Sequence, residues 1–292
     1  MNRNTMNQIQ SPKSSSAAVW LHRVPTFLMY LGLCVFALLC LYPFVWMVSA
    51  SFKTYEEVLK NPSPIPWNPT LETLVTTWNK LKFFDYFRNS VVVSALTVAG
   101  VVAIYPLAGY AFARLRFPGK EVLFVALMSM LLIPGITVLL PIVILERNLG
   151  ILGTHAGLVL PYVNGAGAFS VFLMRSYFQR IPGELHEAAR LDGCTEFQIY
   201  WRIYLPLAGP ALTTIAVLNL LASWNSYLFP SVALTDESRY TLPLGLQNLL
   251  LTNVVRWNEV MAGALITVLP VVIVFVLLQR YYVAGLSGAV KS

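Results

Sequence analysis

Charged residues divide this sequence into long apolar segments, and that division constrains the fold more than any other feature. No Asp, Glu, Lys or Arg occurs within 24–52, 89–113, 122–145, 148–174, 203–235 or 260–279. An α-helix needs about 20 apolar residues to cross the hydrocarbon core of a bilayer. Only 11% of the residues are charged, against roughly 25% in an ordinary soluble domain. The pattern therefore argues against a soluble enzyme with a large core.

We predict an all-α integral membrane protein in which each apolar segment forms one transmembrane helix. The six predicted spans are 25–49, 90–112, 122–144, 153–173, 207–229 and 260–279. Residues 1–24 are expected to form a disordered cytoplasmic segment, because their first part is polar and rich in Ser, Asn and Gln. Residues 25–292 are expected to form a single six-span domain.

Prolines inside or near three of these spans are expected to bend or break them. A proline removes a backbone donor and clashes with the preceding helical turn. The residues concerned are Pro134 and Pro141 in the third span, Pro161 in the fourth, and Pro206 and Pro210 near the start of the fifth.

The distribution of basic residues predicts the orientation of the chain. Six spans place both termini on the same side, together with the loops that follow the second and fourth spans. That side carries more Lys and Arg and fewer acidic residues than the other side. Because cytoplasmic loops are enriched in Lys and Arg, we expect both termini in the cytoplasm. This distribution explains the net charge of +7 better than nucleic-acid binding does.

The interiors of the predicted spans contain no charged residue. Proton- and ion-coupled carriers usually need ionisable groups at membrane depth, so the pattern favours a neutral or weakly charged solute and an external energy source. The sequence also lacks a P-loop G-x-x-x-x-G-K-[ST], an H-E-x-x-H motif and a G-x-S-x-G motif. We therefore predict no enzymatic activity, no catalytic residue, no metal site and no cofactor. Any ATP that drives the protein is expected to be bound by a partner subunit.

The longest predicted cytoplasmic loop, residues 175–206, carries the signals of two short helices. Pro182 suits the first helical position, and Gly193 suits the left-handed position that ends a helix. Thr195 and Gln198 fit a capping box at the start of the second helix. One side of the first helix would be made of Leu185, Ala188, Ala189 and Asp192. Small side chains there would let another protein approach closely, although a helix lying on the membrane explains the same pattern.

A spaced motif occupies the same loop. Glu187-Ala188-Ala189 is followed after three residues by Gly193, and after nine more by Ile203-x-Leu205-Pro206. This run resembles E-A-A-x3-G-x9-I-x-L-P, the signature of permease subunits of ATP-binding-cassette importers. The stretches 42–53, 108–119, 224–227, 240–246 and 279–291 resemble the shorter, six-span permease of maltose-type carbohydrate importers.

The resemblance implies an importer that moves a carbohydrate by alternating access across a prokaryotic plasma (inner) membrane. It implies a second permease, two separate ATPase subunits and an extracytoplasmic solute-binding protein as partners. It further implies that the first loop helix couples the chain to the ATPase, and that the tail near 285–288 reaches the ATPase too. The residues that match the coupling motif are Glu187, Ala188, Ala189, Gly193, Leu205 and Pro206.

The fifth predicted span supplies candidates for the solute pathway. Sugars are commonly held by aromatic faces together with amides and hydroxyls, and such groups are offered by Asn219, Ser223, Trp224, Asn225 and Tyr227. Packing between helices is the other explanation for these residues. Two alternatives to carbohydrate import also stay open. One is the same kind of importer for another small polar solute, such as a glycerol phosphate, and the other is a stand-alone facilitator.

Overall fold

The computed structural model describes residues 16–80, 82–251 and 254–290, with side chains described over 26–277, and this part of the chain contains no β-strand. In chain order the α-helices are α1 (Ser16–Ser51), α2 (Tyr55–Lys60), α3 (Glu72–Lys80), α4 (Phe83–Arg114), α5 (Lys120–Ser129), α6 (Gly135–Asn148), α7 (His155–Gly165), α8 (Gly167–Arg180), α9 (Gly183–Leu191), α10 (Glu196–Ile199), α11 (Leu205–Leu207), α12 (Gly209–Trp224), α13 (Leu228–Ala233), α14 (Leu242–Gln247) and α15 (Trp257–Val290). Two 3₁₀ turns, Met130–Leu132 and Glu237–Arg239, and a π-helical stretch, Tyr200–Tyr204, complete the regular structure of the described residues.

Three of the described helices are long and apolar enough to cross a membrane as single rods: Thr26–Ser51 within α1, all of α4, and Trp257–Leu277 within α15. Three further spans are made of bent pairs of helical segments, at angles of 101° for Lys120–Leu132 with Gly135–Asn148, 45° for α7 with α8, and 76° for Glu196–Leu207 with α12. With each bent pair counted as one crossing, the described residues contain up to six spans, the number that the sequence predicts, although the first arm of the fifth pair, Glu196–Leu207, lies in the segment predicted as a loop.

The bends lie at or near the residues that the sequence marks as helix breakers. Pro134 stands at the 101° bend, directly before α6, and the 76° bend falls between Pro206 and Pro210. The 45° bend lies at Ala166, however, while Pro161 and Pro141 are accommodated inside α7 and α6. A proline can remain in a membrane helix when neighbouring groups satisfy the freed backbone carbonyl.

Helix α4 forms the centre of the bundle, where it packs against α7, α8 and α12, whereas α1 packs mainly against α15. A glycine sets the distance between α4 and α8. An ideal Cβ at Gly109 would lie 2.5 Å from Met174 Cβ and 3.1 Å from the backbone nitrogen of Arg175. The two helices can therefore approach this closely only because residue 109 has no side chain.

Polar contacts collect at the two ends of α4. At its start, Tyr86 bonds to Glu237 and Asn89 bonds to the carbonyls of Ser238 and Tyr240. At its other end, Tyr110 bonds to Glu196 and Arg114 bonds to Phe178 O. With 32 residues, α4 is about 48 Å long at 1.5 Å per residue. The segments that hydrogen-bond to the two ends of α4 therefore lie at opposite ends of the bundle, far from each other.

Two predictions for the termini fall wholly or partly outside the described residues. Helix α1 begins at Ser16, inside the segment 1–24 that the sequence assigns to disorder, and residues 1–15 are not described. The tail at 285–288 lies within α15, but its side chains are not among those described.

Candidate functional site

The first helix of the 175–206 loop is defined by its caps. Pro182 stands at the N-cap position, and α9 begins at Gly183, one residue later than predicted. Gly193 has φ +78°, the left-handed conformation that the sequence predicts. Its N–H donates to Arg190 O at 3.0 Å, and Cys194 N–H donates to Ala189 O at 3.0 Å. This pair of bonds is a Schellman motif, which satisfies carbonyls that would otherwise be unpaired at the end of α9.

The second helix of the loop starts at the predicted capping box. Thr195 Oγ1 accepts from Gln198 N at 3.3 Å, and Gln198 Oε1 accepts from Thr195 N at 2.8 Å. The helix then widens into the π-helical stretch Tyr200–Tyr204 before α11. This stretch buries both of its terminal tyrosines, which are 4% and 0% exposed. Nothing in the sequence pattern indicated the π-helix.

Helix α9 has an exposed face and a buried face, and the predicted coupling residues are divided between them. Glu187, Ala188 and Gly193 are exposed, whereas Ala189 is only 6% exposed and packs into the chain's own core. The exposed residues Glu184, Glu187, Ala188 and Leu191 follow i, i+3, i+4, i+7 spacing. That spacing places them on one face, which we call the α9 outer face. This face is not the side of α9 that the sequence predicts, because the two have only Ala188 in common.

The remaining two motif residues lie beyond this face. Leu205 is half-buried against the core beneath the loop, and Pro206 is exposed in the first turn of α11. Their position at the junction between the loop and α12 suits an anchoring role better than a docking role.

An aromatic cluster supports the loop from below. The ring of Tyr110, on α4, lies with its centroid 5.0 Å from that of Tyr204, 5.3 Å from that of Tyr200 and 6.2 Å from that of Phe178. Aromatic pairs at such distances contribute about 0.5–1.5 kcal/mol beyond their buried area. The cluster therefore joins the last turn of α4 firmly to α8 and to the second loop helix.

A cleft of about 240 Å³ lies beside the break between α7 and α8, and its lining includes Asn219, Ser223 and Tyr162. The sequence predicts the first two as pathway residues. Both already bond within α12, since Asn219 Nδ2 donates to Ile215 O at 2.8 Å and Ser223 Oγ donates to Asn219 O at 2.7 Å. An amide also carries a carbonyl oxygen that can accept from a hydroxyl. The cleft thus combines an aromatic side chain with an amide and a hydroxyl.

The other three predicted pathway residues lie elsewhere. Trp224 is 5% exposed, packs against Phe83 and Leu242, and donates from Nε1 to Thr267 O at 3.1 Å. Asn225 and Tyr227 follow the end of α12 and are exposed. The structure therefore brings Asn219 and Ser223 together at one cleft and places Trp224 in a packing position between α4 and α15.

Comparisons with known proteins agree over most of the chain. Residues 104–288 match the family described as binding-protein-dependent transport system inner membrane component. The chain is 38% identical to the inner membrane ABC transporter permease protein YcjP of Escherichia coli, over 90% of this chain and 95% of that protein. It is 34% identical to the arabinooligosaccharides transport system permease protein AraQ of Halalkalibacterium halodurans, over 91% and 97% of the two chains.

A solved structure shows the same fold. The chain matches, with a TM-score of 0.80 and 27% identity, one chain of a bacterial ABC transporter involved in the import of the acidic polysaccharide alginate. The match covers 93% of this chain and 100% of that chain.

The six-span helical bundle, with its capped loop helix at one end, is thus a permease of the ABC importer class, embedded in the membrane. The chain belongs to the family of binding-protein-dependent transport system inner membrane components. Members of this family transport solutes and are not enzymes.

Replacing Trp224 by Ala should lower the free energy of unfolding by about 3–5 kcal/mol, because a buried indole and its hydrogen bond are lost. Replacing the adjacent exposed Asn225 by Ala should change it by less than about 0.5 kcal/mol. Thermal unfolding of the two purified variants in the same detergent measures the difference. Equal stability of the two variants would show that Trp224 is not a packing residue.

Proposed function

We propose that this chain moves a carbohydrate across the plasma membrane by alternating access, as one of two permease subunits. The observation that carries the proposal is the α9 outer face, an exposed helix face at one end of a bundle whose predicted spans contain no charged residue in their interiors. Such a bundle suits a neutral solute and an energy source outside the membrane. Carbohydrate as the solute is supported by the name of the relative for arabinooligosaccharides and by the solved transporter for alginate, which is a carbohydrate but an acidic one.

In this proposal the energy comes from two separate ATPase subunits, which bind the ATP that this chain does not bind. They dock on the α9 outer face, so the end of the bundle with α9, and with it both termini, lies in the cytoplasm. The excess of basic residues on that side supports this orientation. An extracytoplasmic binding protein delivers the solute to the opposite end, where the polar segments around Tyr86 and Glu237 lie.

Transport requires that the partners bind the two conformations of the permease pair with different affinity. A ligand shifts a conformational equilibrium only by its differential affinity for the two states. We propose that ATP-bound ATPase subunits and the loaded binding protein each favour the outward-open state. Glu187, Ala188 and Gly193 make or shape the ATPase contact, whereas Ala189 and Leu205 hold the loop on the bundle. The exposed Pro206 lies at the junction of the loop with α12.

The cleft beside Asn219 and Ser223 is proposed as this chain's contribution to the solute pathway. Its irregular backbone at the α7–α8 break and its mixed aromatic and polar lining support this assignment. Backbone irregularity at membrane depth is found where protein or a water-lined cavity satisfies the freed groups.

Reversing the charge of Glu187 with Lys should reduce ATP-driven uptake at least about tenfold, because repulsion between like charges at a docking surface costs several kcal/mol. Gly193→Pro should have the same effect, since proline cannot adopt φ +78° and removes the N–H that bonds to Arg190 O. Uptake and solute-stimulated ATP hydrolysis are measured with the complete transporter in proteoliposomes.

Glu56→Lys is the control for charge reversal away from the ATPase, because Glu56 lies on an exposed helix at the opposite end of the bundle. Its side chain is 81% exposed, in a pair with Lys60, and this variant should still co-purify with the ATPase subunits, whereas Glu187→Lys should not. Normal uptake by Glu187→Lys would contradict the proposal. Uptake by this chain alone, without ATP, would favour the stand-alone facilitator instead.

Asn219→Leu should raise the solute concentration for half-maximal uptake about fivefold, which corresponds to the loss of about 1 kcal/mol from one hydrogen bond. Thr214→Val is the control on the same helix, since Thr214 also bonds within α12, to Pro210 O at 2.9 Å, but does not line the cleft. The solute concentration for half-maximal uptake should therefore rise for Asn219→Leu and stay at the wild-type value for Thr214→Val. An unchanged half-saturation for Asn219→Leu would remove the cleft from the pathway.

A further inference from the structure

The N-terminal flank of α9 is bound by the last residue of α4. Arg114 Nη2 donates to Phe178 O at 2.7 Å and also to Ile181 O. These carbonyls lie at the end of α8, where a helix leaves carbonyls without intrahelical partners. The guanidinium also lies 5.2 Å from the centroid of the Tyr204 ring. Arg114 therefore fixes the turn through which the chain enters α9.

The C-terminal flank of α9 is bound by the same turn of α4, through a carboxylate. Tyr110 Oη donates to Glu196 Oε2 at 2.8 Å. The other oxygen of that carboxylate, Oε1, lies 2.7 Å from Arg190 Nη2 and 3.6 Å from His186 Nε2, both on α9. Glu196 thus joins α4 to α9 directly. Neither Glu196 nor Tyr110 belongs to the signature motif.

These contacts are better suited to positioning than to stabilising the fold. The Arg190 and Glu196 side chains are 64% and 32% exposed, and an exposed ion pair typically contributes only about 0–1 kcal/mol. Tyr110 is by contrast 2% exposed and fixed by three neighbouring rings. A rigid ring therefore presents its hydroxyl to a carboxylate whose other oxygen binds the loop helix.

The covalent connection from α8 to α9 is less suited to transmit force. Ile181 and Pro182 have ψ of 131° and 134°, so the helical backbone is interrupted at the point where α9 begins. Without a continuous helix across this joint, α9 can pivot relative to α8. Arg114 holds the α8 side of this joint, through Phe178 O and Ile181 O. The contact from Tyr110 through Glu196 reaches α9 itself, at Arg190.

We propose that α4 is the membrane helix that receives the movement of α9. Tyr110 and Arg114, which we call the α4 clamp, make the contacts from α4, and Glu196 links Tyr110 to α9. This inference rests on the proposed function, in which an ATPase moves α9. Tyr110 and Glu196 are positioning residues: they touch neither solute nor nucleotide. Because α4 lies at the centre of the bundle and reaches the opposite end, its displacement would act on α7, α8 and α12 together.

Tyr110→Phe tests the clamp, since it removes the hydroxyl and keeps the ring. In proteoliposomes with the partner permease, the ATPase subunits and the binding protein, it should raise the ATP hydrolysed per solute imported at least about fivefold, the lower end of typical coupling effects. Assembly, followed by co-purification of the subunits, should be unchanged. Tyr105→Phe is the matched control, because it breaks a 2.8 Å bond from a tyrosine of the same helix to Val163 O on α7, away from α9 and from the solute cleft. Its ratio should equal that of the wild type.

A charge exchange gives a second, independent test. Arg190→Glu and Glu196→Arg should each raise the ratio of ATP hydrolysed to solute imported. The double variant restores the ion pair, and a tyrosine hydroxyl can also accept from an arginine, so it should recover at least half of the loss. A merely structural role would instead lower assembly of the single variants and leave this ratio unchanged.

The proposal is overturned if Tyr110→Phe leaves the ratio unchanged, if Tyr105→Phe raises it equally, or if the charge exchange gives no recovery. If the proposed function itself is wrong, the result is a different one: Glu187→Lys then imports the solute normally. Uncoupling by Glu187→Lys together with normal coupling in Tyr110→Phe would reject the clamp alone.

Discussion

The structure depends on the requirement that every backbone N–H and C=O at membrane depth be hydrogen-bonded within the protein. Helices meet that requirement in each of the six charge-free segments. Where a segment bends, as at Pro134, Ala166 and Ala208, the breaks expose backbone groups that must find other partners. Two of the three bent spans, α7 with α8 and the one that contains α12, pack directly on α4, which is continuous from Phe83 to Arg114.

The same requirement moves charge and polarity to the ends of the bundle, and this gives each end its own chemistry. At one end, Tyr86 and Asn89 hydrogen-bond to the segment after α13. The other holds the loop helix α9, the aromatic cluster and the α4 clamp. A movement imposed on α9 at one end can therefore reach the other through a single helix, which is continuous although Pro106 lies within it, without an ionisable group in the interior of the spans.

Features that depend on neighbouring residues in the sequence were predictable, and those that depend on packing were not. The six spans follow from the spacing of charges, and the left-handed Gly193 and the Thr195 capping box follow from local backbone chemistry. The inward direction of Trp224 depends on helix rotation, which a strongly apolar helix such as α12 does not encode. Helix α9 is amphipathic, but Ala188 and Ala189 are adjacent and alike, so the pattern does not show which of them is buried. Lys53 is 1% exposed because its ammonium binds the carbonyls of Asn61 and Ser63, a partnership between loop segments that no periodic pattern reveals.

The central claim is that the α9 outer face meets a separate ATPase, and site-directed photo-cross-linking in cells tests it most directly. A photoreactive residue at Leu191, which is 89% exposed, should cross-link to the ATPase subunit, while one at Trp67, 63% exposed at the opposite end, should not. Cross-linking of Leu191 to an extracytoplasmic protein, or of Trp67 to the ATPase, would contradict the account.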